Sequence, residues 1–246
     1  MVAPTGARRM KADHPRLPIF LPEIIQTAIE CQKAGADALH LHIRNQDGQH
    51  SLDAGRYKEA ITELSEALPN LPVQITTEAG GIFGVDEQLD CLRQVKPKWA
   101  SISVREIDRA PELADTVYGT CADNGTKVQH ILYGPDDVVL YRRRRAQGII
   151  RPDQEEVIYV LGRYSVGLIS TPKDLIPFLN AGHDVDRWMV CAFGPCEHMC
   201  LQDAAWRGGS LRVGFENSVH GEDGSPHESN AASVATLVQR LKNPHD

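Results

Sequence analysis

The 246-residue chain has no run of about 18 apolar residues, so it offers no membrane-spanning helix. Its first residues, Met1-Val2-Ala3-Pro4-Thr5-Gly6-Ala7-Arg8-Arg9, lack the apolar stretch of a secretory signal. It has no excess of positive charge: 26 Lys and Arg stand against 33 Asp and Glu, a formal net charge of −7. That argues against a general nucleic-acid binder. No Gly-x-Gly-x-x-Gly or Walker-type loop follows any apolar run, so a nucleotide fold gets no direct support. Six cysteines (Cys31, Cys91, Cys121, Cys191, Cys196, Cys200) are scattered, and none forms a Cys-x-x-Cys pair. Without an export signal they are expected as reduced thiols in a cytoplasm, not as a disulfide framework.

What is present is an alternation of strand-like and helix-like segments. Helical stretches are expected from Leu21 to Ala34, with Gly35 as the stop, and from Ser51-Leu52-Asp53 through Leu64. Others run over Asp86–Val95, Glu112–Asn124, Pro135 to near Gly148, from Thr171-Pro172, over Glu197–Trp206 and over Asn230–Lys242. Between them, strands are expected around His40 and over Val73–Thr77, Trp99–Val104, Val128–Tyr133, Ser165–Ser170, Trp188–Phe193 and Leu211–Phe215. Counting Met1 to Thr5 as a shortened first strand gives eight βα units. That describes an α/β protein, a (β/α)8 TIM barrel, as a single domain over residues 1–246. A doubly wound open sheet is the runner-up.

The densest chemistry lies in Ala38-Leu39-His40-Leu41-His42-Ile43-Arg44. Side chains at i and i+2 of a strand share a face, so His40 and His42 project together from a rigid element. Neutral imidazoles so placed are transition-metal ligands. In a barrel, catalytic groups sit at the carboxyl ends of strands. Glu216 and Asn217 end the last strand, and parity groups Arg212 with Glu216. Thr76, Thr77 and Glu78 end the Val73 strand. Two His and a carboxylate with an open position make a catalytic divalent-metal arrangement, with Zn²⁺ the leading candidate and Fe²⁺, Mn²⁺, Co²⁺ and Ni²⁺ left open. Glu216 as a plain loop acid is the competing reading. Arg142-Arg143-Arg144-Arg145 reads as a solvated helix face, with a local anion patch as the alternative. Cys191, Cys196 and Cys200 with His198 read as an incidental grouping.

Thr5-Gly6-Ala7-Arg8-Arg9, Gly35-Ala36-Asp37-Ala38-Leu39-His40-Leu41-His42-Ile43-Arg44, Asp47-Gly48, Val73-Gln74-Ile75-Thr76-Thr77 and Gly208-Gly209-Ser210-Leu211-Arg212-Val213-Gly214-Phe215-Glu216-Asn217 together resemble one family over nearly the whole chain. It is the β-keto acid cleavage enzymes, the family of 3-keto-5-aminohexanoate cleavage enzyme. The resemblance implies a (β/α)8 barrel, a homotetramer and Zn²⁺ held by His40, His42 and Glu216. It implies a reversed-Claisen reaction in which a β-keto acid and acetyl-CoA, as cosubstrate, give acetoacetate and a new CoA thioester. Arg212 would lie beside the substrate's charged groups, and Thr76 or Thr77 would supply a hydroxyl. The chain departs from the pattern at Asn217, where the characterised enzyme has an Asp although other members carry Asn, and at Arg44-Asn45, where Arg-Asp is usual. It departs again in Val128–Tyr133, which carries no acid. His130 is then either a proton shuttle in place of that acid or a core histidine. These departures keep two other readings in view: a CoA-independent metal-dependent hydrolase or lyase, and a non-catalytic barrel that binds a small acid.

Overall fold

The computed structural model describes residues 1–182 and 185–242. Seven parallel strands form one curled sheet: β1 (Leu39–Leu41), β4 (Val73–Thr76), β5 (Trp99–Ser103), β6 (Lys127–Leu132), β7 (Glu156–Leu161), β8 (Trp188–Ala192) and β9 (Ser210–Leu211), in that spatial order. A two-residue hairpin, β2 (Ile43–Arg44) with β3 (His50–Ser51), stands apart from it. Val2 forms parallel bridges to both Leu39 and Val213, so the N-terminal segment lies between the first and last strands of the sheet. The order follows the sequence without reversal, as in barrel-type α/β folds and unlike a doubly wound sheet.

Helices cover the outer face: α1 (Leu21–Ala34), α2 (Ala54–Ala67), α3 (Val85–Val95), the short α4 (Val104–Ile107), α5 (Ala114–Asp123), α6 (Pro135–Ala146), α7 (Ile176–Ala181), α8 (Glu197–Trp206) and α9 (Asn230–Lys242). Their boundaries follow local signals. Asp53 accepts the Arg56 N–H and starts α2. Pro22 lies in the first turn of α1, and Gly35, left-handed at φ 112°, ends it. Ile24, Ala28 and Cys31 recur at helical spacing and are buried, which turns α1 onto the sheet. Among the described residues no helix is long and apolar enough to cross a membrane.

The sheet separates two apolar layers. The larger lies between strands and helices and includes Leu39, Ile75, Ile102, Val128, Leu132, Val157 and Tyr159. The smaller, Ile131, Ile158, Val160, Met189, Cys191 and Phe193, fills the concave side. Strand parity makes this division, since alternate residues of β6, β7 and β8 go to opposite sides.

Two strand expectations are corrected. Ser165–Ser170 is not a strand; the strand of that unit is Glu156–Leu161. Val157–Leu161 is a buried apolar run, whereas Val166 is 96% exposed and Gly167 and Leu168 are left-handed at φ 74° and 54°. No strand tolerates two such residues in succession. The Leu211–Phe215 strand shortens to Ser210–Leu211, with Val213 in a single bridge. Gly214, at φ 142°, breaks it. A Cβ there would lie 2.5 Å from the Ala3 carbonyl oxygen, so only glycine lets the turn pass the N-terminal segment.

Candidate metal centre

His40 and His42, consecutive inward residues of β1 and its extension, have ring centroids 5.1 Å apart and are each 1% exposed. Glu216, on the turn after β9, joins them: its Oε2 lies 3.6 Å from His40 Nε2 and 3.4 Å from His42 Nε2. The ligand atoms of the three residues all fall within 4.8 Å of one another. Strand register sets the His40 ring. His40 pairs with Gln74 across β1 and β4, and His40 Nδ1 meets Gln74 Oε1 at 2.7 Å. An amide oxygen only accepts, so Nδ1 carries the hydrogen and Nε2 presents its lone pair to the cluster. Gln74 Nε2 donates in turn to Gln129 Oε1 at 3.1 Å, which holds the amide in that orientation.

These residues fit a divalent ion. Both ring nitrogens of His42 and Glu216 Oε2 are buried with no hydrogen-bond partner, an arrangement that costs free energy unless something binds there. Two neutral imidazoles and a carboxylate suit Zn²⁺ or a neighbouring transition metal. Burial and the adjacent Arg212 hold the His40 pKa well below its ordinary value, so the ring is neutral. Burial alone would raise the Glu216 carboxyl, but the Arg212 guanidinium beside it holds it well below the carboxylate range. His40 and Glu216 are therefore presented in their ligand forms.

Arg212 is 3% exposed. Its Nη1 lies 3.2 Å from His40 Nε2, and its Nη2 reaches Glu216 Oε1 at 3.2 Å and Cys191 Sγ at 3.3 Å. Thr76 lines the same cleft, whose walls include Ile131, Val160 and Phe193. Thr77 does not reach it; its hydroxyl donates to the Ser101 carbonyl at 3.3 Å on the other side of β4. Asn217 is fully buried beneath the turn and donates to Glu197 and to the Arg212 carbonyl.

His130 is not brought to the cluster. It faces the helices between Tyr118 and Tyr141, and its Nε2 lies 3.0 Å from the Gln154 carbonyl. The shuttle reading of His130 is therefore corrected, because parity sends Gln129 and Ile131 to the concave side and His130 to the outer layer. Burial pushes its pKa down to about 3. An unfolded histidine titrates near 6.5, so between those values the unfolded chain binds the extra proton and native stability falls as pH falls. Acid unfolding of wild type should steepen below pH 6.5 by about 1 kcal/mol per pH unit from this residue. A His130→Gln variant, followed by denaturant titration at pH 7 and pH 5, should lose that increment.

Glu78, expected at the end of the Val73 strand, and Arg163, which the sequence did not single out, complete the surroundings. Glu78 Oε2 is 3.9 Å from His42 Nε2, and its Oε1 is 3.6 Å from Arg163 Nη2. Arg163 follows β7 and lies over the Phe193 ring at 5.1 Å. Placing that strand at 165–170 hid it. Gln74 was legible in principle, two residues before Thr76 on the same face. The inner cleft has about 10 Å³ of free space and shares Glu78, Arg163, Phe193 and Glu216 with a vestibule of about 220 Å³. A larger cavity of about 680 Å³ lies at the opposite end, against the first residues of the strands, away from the cluster.

The family motifs have structural causes. Arg44, 5% exposed, donates to the carbonyls of Gly6 at 2.6 Å, Arg9 at 3.1 Å and Gly48 at 2.8 Å, and so ties the N-terminal segment and the Asn45–Gly48 turn together. Gly6 is left-handed at φ 64°, and a Cβ there would lie 2.8 Å from Glu216 Cγ. A Gly6→Ala variant should therefore displace Glu216 and weaken zinc binding by roughly tenfold or more, measured by competition with a chromogenic chelator. Arg144 pairs with Asp108, and Arg145 donates to the Gln154 carbonyl at 3.2 Å, so two of the four arginines tie α6 to the segments after α4 and before β7. All six cysteines are free. Cys191 faces Arg212, Cys200 faces Ser170 and His198 faces Ser233, so they form no common site.

A curled parallel sheet wrapped in helices, with two His and a carboxylate converging at the carboxyl ends of its strands, defines an α/β barrel-type protein with a candidate divalent-metal centre. The chain matches the model of the β-keto acid cleavage enzyme family over residues 1–244, and it belongs to that family. It is 26% identical over 259 aligned residues to a 3-keto-5-aminohexanoate cleavage enzyme of Acetoanaerobium sticklandii, covering 96% of this chain and 89% of that one. It is 24% identical to a 3,5-dioxohexanoate:acetyl-CoA acetone transferase of Paraburkholderia graminis, covering 98% and 88%. The solved structure of apo ObcA superposes with a TM-score of 0.73 at 16% identity; the match covers 94% of this chain and 62% of that one.

Proposed function

We propose that this chain is a Zn²⁺-dependent β-keto acid cleavage enzyme, a C–C bond-cleaving acyltransferase. In this reading R–CO–CH2–COO⁻ and acetyl-CoA give acetoacetate and R–CO–CoA. The observation that supports it most is the convergence of His40, His42 and Glu216, with orphaned ligand atoms, in a member of this family. The same reading takes residues 1–246 as a single eight-unit barrel domain whose first strand is reduced to the bridging Val2, assembled as a homotetramer in the cytoplasm.

When bound, Zn²⁺ supplies a Lewis acid for the keto oxygen of the substrate and for the enolate charge that develops. The residues do the rest. Gln74 keeps His40 in the ligating tautomer. Arg212, buried, holds a permanent positive charge against Glu216, whose carboxylate raises the Arg212 pKa despite burial. Its Nη1 lies 3.2 Å from His40 Nε2, and with that nitrogen given to a metal this N–H would be available to the substrate carboxylate. Thr76 Oγ1 accepts the Glu78 N–H at 3.0 Å, which leaves its own proton to offer to substrate oxygen. Asn217 orients rather than transfers a proton, since an amide is no general base. Arg163 and Glu78 pair at 3.6 Å where the inner cleft meets the vestibule, so the Arg163 cation faces the approach to the cluster.

The test is acetoacetate release from a panel of β-keto acids by zinc-loaded protein, with and without acetyl-CoA. Release that needs both acetyl-CoA and bound zinc is expected. Absence of turnover across aliphatic, cationic and dicarboxylic members would overturn the reading.

A further inference from the structure

Glu197, the first residue of α8, is 1% exposed and has no part in the chemistry above. Its Oε1 accepts from the Gly214 N–H at 3.1 Å and from Asn217 Nδ2 at 3.0 Å. Asn217 Nδ2 spends its second hydrogen on the Arg212 carbonyl, 3.1 Å away. These two acceptors fix the amide orientation: turned over, Asn217 Oδ1 would face two oxygens with no hydrogen between. The remaining polar atoms of the pair, Glu197 Oε2 and Asn217 Oδ1, are both buried and both without a partner.

A glutamate anion leaves both of these buried acceptors unsatisfied, on two side chains already joined through Asn217 Nδ2 and Glu197 Oε1. One proton on Oε2 satisfies both, because it makes Oε2 a donor and gives Oδ1 its bond. The result is the two-point ring that a carboxylic acid and a primary amide form. We propose that Glu197 is held as the neutral acid in such a pair with Asn217, and that the pair clamps the Arg212–Asn217 turn and thereby positions Arg212 and Glu216. Arg9 and Arg212 are the charged groups that face Glu197, with the thiols of Cys191 and Cys200 nearby. The two arginines favour the anion, but burial outweighs them and pushes the carboxyl up to about 8. Glu197 and Asn217 are positioning residues. The clamp explains why an amide stands after Glu216: a carboxylate there would turn an oxygen, in place of Nδ2, on two acceptors, Glu197 Oε1 and the Arg212 carbonyl.

The pair itself is tested without metal. An infrared difference spectrum of wild type minus Glu197→Gln at pH 7 should contain the C=O band of a protonated carboxyl, shifted in D2O. Its absence would overturn the proposal. The positioning role rests on the zinc reading and is tested by zinc titration. Gln repeats both donor and acceptor toward Asn217, so Glu197→Gln should bind zinc within about threefold of wild type, whereas Glu197→Ala should bind roughly 10- to 100-fold more weakly. Equal defects in the two variants, or no defect in Glu197→Ala, would sink the positioning role. Should Glu197→Ala fail to fold, the infrared spectrum, which needs only Glu197→Gln, still decides. A wild type that binds no zinc overturns the metal reading and leaves the infrared result standing.

Discussion

A His42→Ala variant should lose turnover altogether and retain less than about a tenth of the wild-type zinc after dialysis, read by metal analysis and by the acetyl-CoA-dependent assay. The size of the effect follows from geometry. Among the described residues His42 is one of three ligand residues that converge here, and its Nε2 is a buried orphan 3.4 Å from Glu216 Oε2. Removing one of three protein ligands leaves two, too few for a catalytic zinc site. His40→Ala should match it, with one difference: Gln74 then also loses the partner that its Oε1 has at 2.7 Å. A His42→Ala protein with full zinc content would refute the assignment of His42 as a ligand.

Arg212→Ala should separate metal binding from chemistry. Zinc content is expected to stay at wild-type level, because Arg212 competes for the His40 lone pair and supplies no ligand atom. Turnover should fall by about 100-fold or more, the scale on which a single preorganised charge or donor acts. The metal-free variant should also be less stable, by about 3 kcal/mol, since Glu216 loses the cation 3.2 Å away and is left as a buried unpaired carboxylate. Adding zinc should restore most of that loss, because the ion then compensates Glu216. Normal turnover in Arg212→Ala would end the role given to Arg212. A loss of zinc equal to that of His42→Ala would mean that the arginine organises the ligands.

The site was legible where its residues follow strand parity. His40 and His42 share a face by the period of two, and Arg212 and Glu216 lie on one turn. Thr76 could be told from Thr77 on the same ground only once the direction of β4 was known. His130 was ambiguous for that reason: an apolar strand buried on both sides shows no alternation to say which face is concave. Arg163 was hidden by the strand placed at Ser165–Ser170, because a short apolar stretch with β-branched residues looks alike whether it is buried or lies exposed in a loop. Glu197 gave no local sign, since a glutamate in the first turn of a helix is expected for the dipole alone.

The sequence by itself determined the alternation of strands and helices, the glycine and proline stops, and the pairing of His40 with His42, because each depends on residues within a few positions of one another. It also carried the family, through motifs whose glycines and arginines have structural tasks here: Gly6 against Glu216, Arg44 across three carbonyls. Only the tertiary structure decided which side of each strand faces inward, that residues 176 positions apart (His40 and Glu216) meet, and that Glu197 lies behind Asn217. Those facts arise from the curl of the sheet and the closing of its first and last strands around Val2, a long-range arrangement that no local pattern encodes.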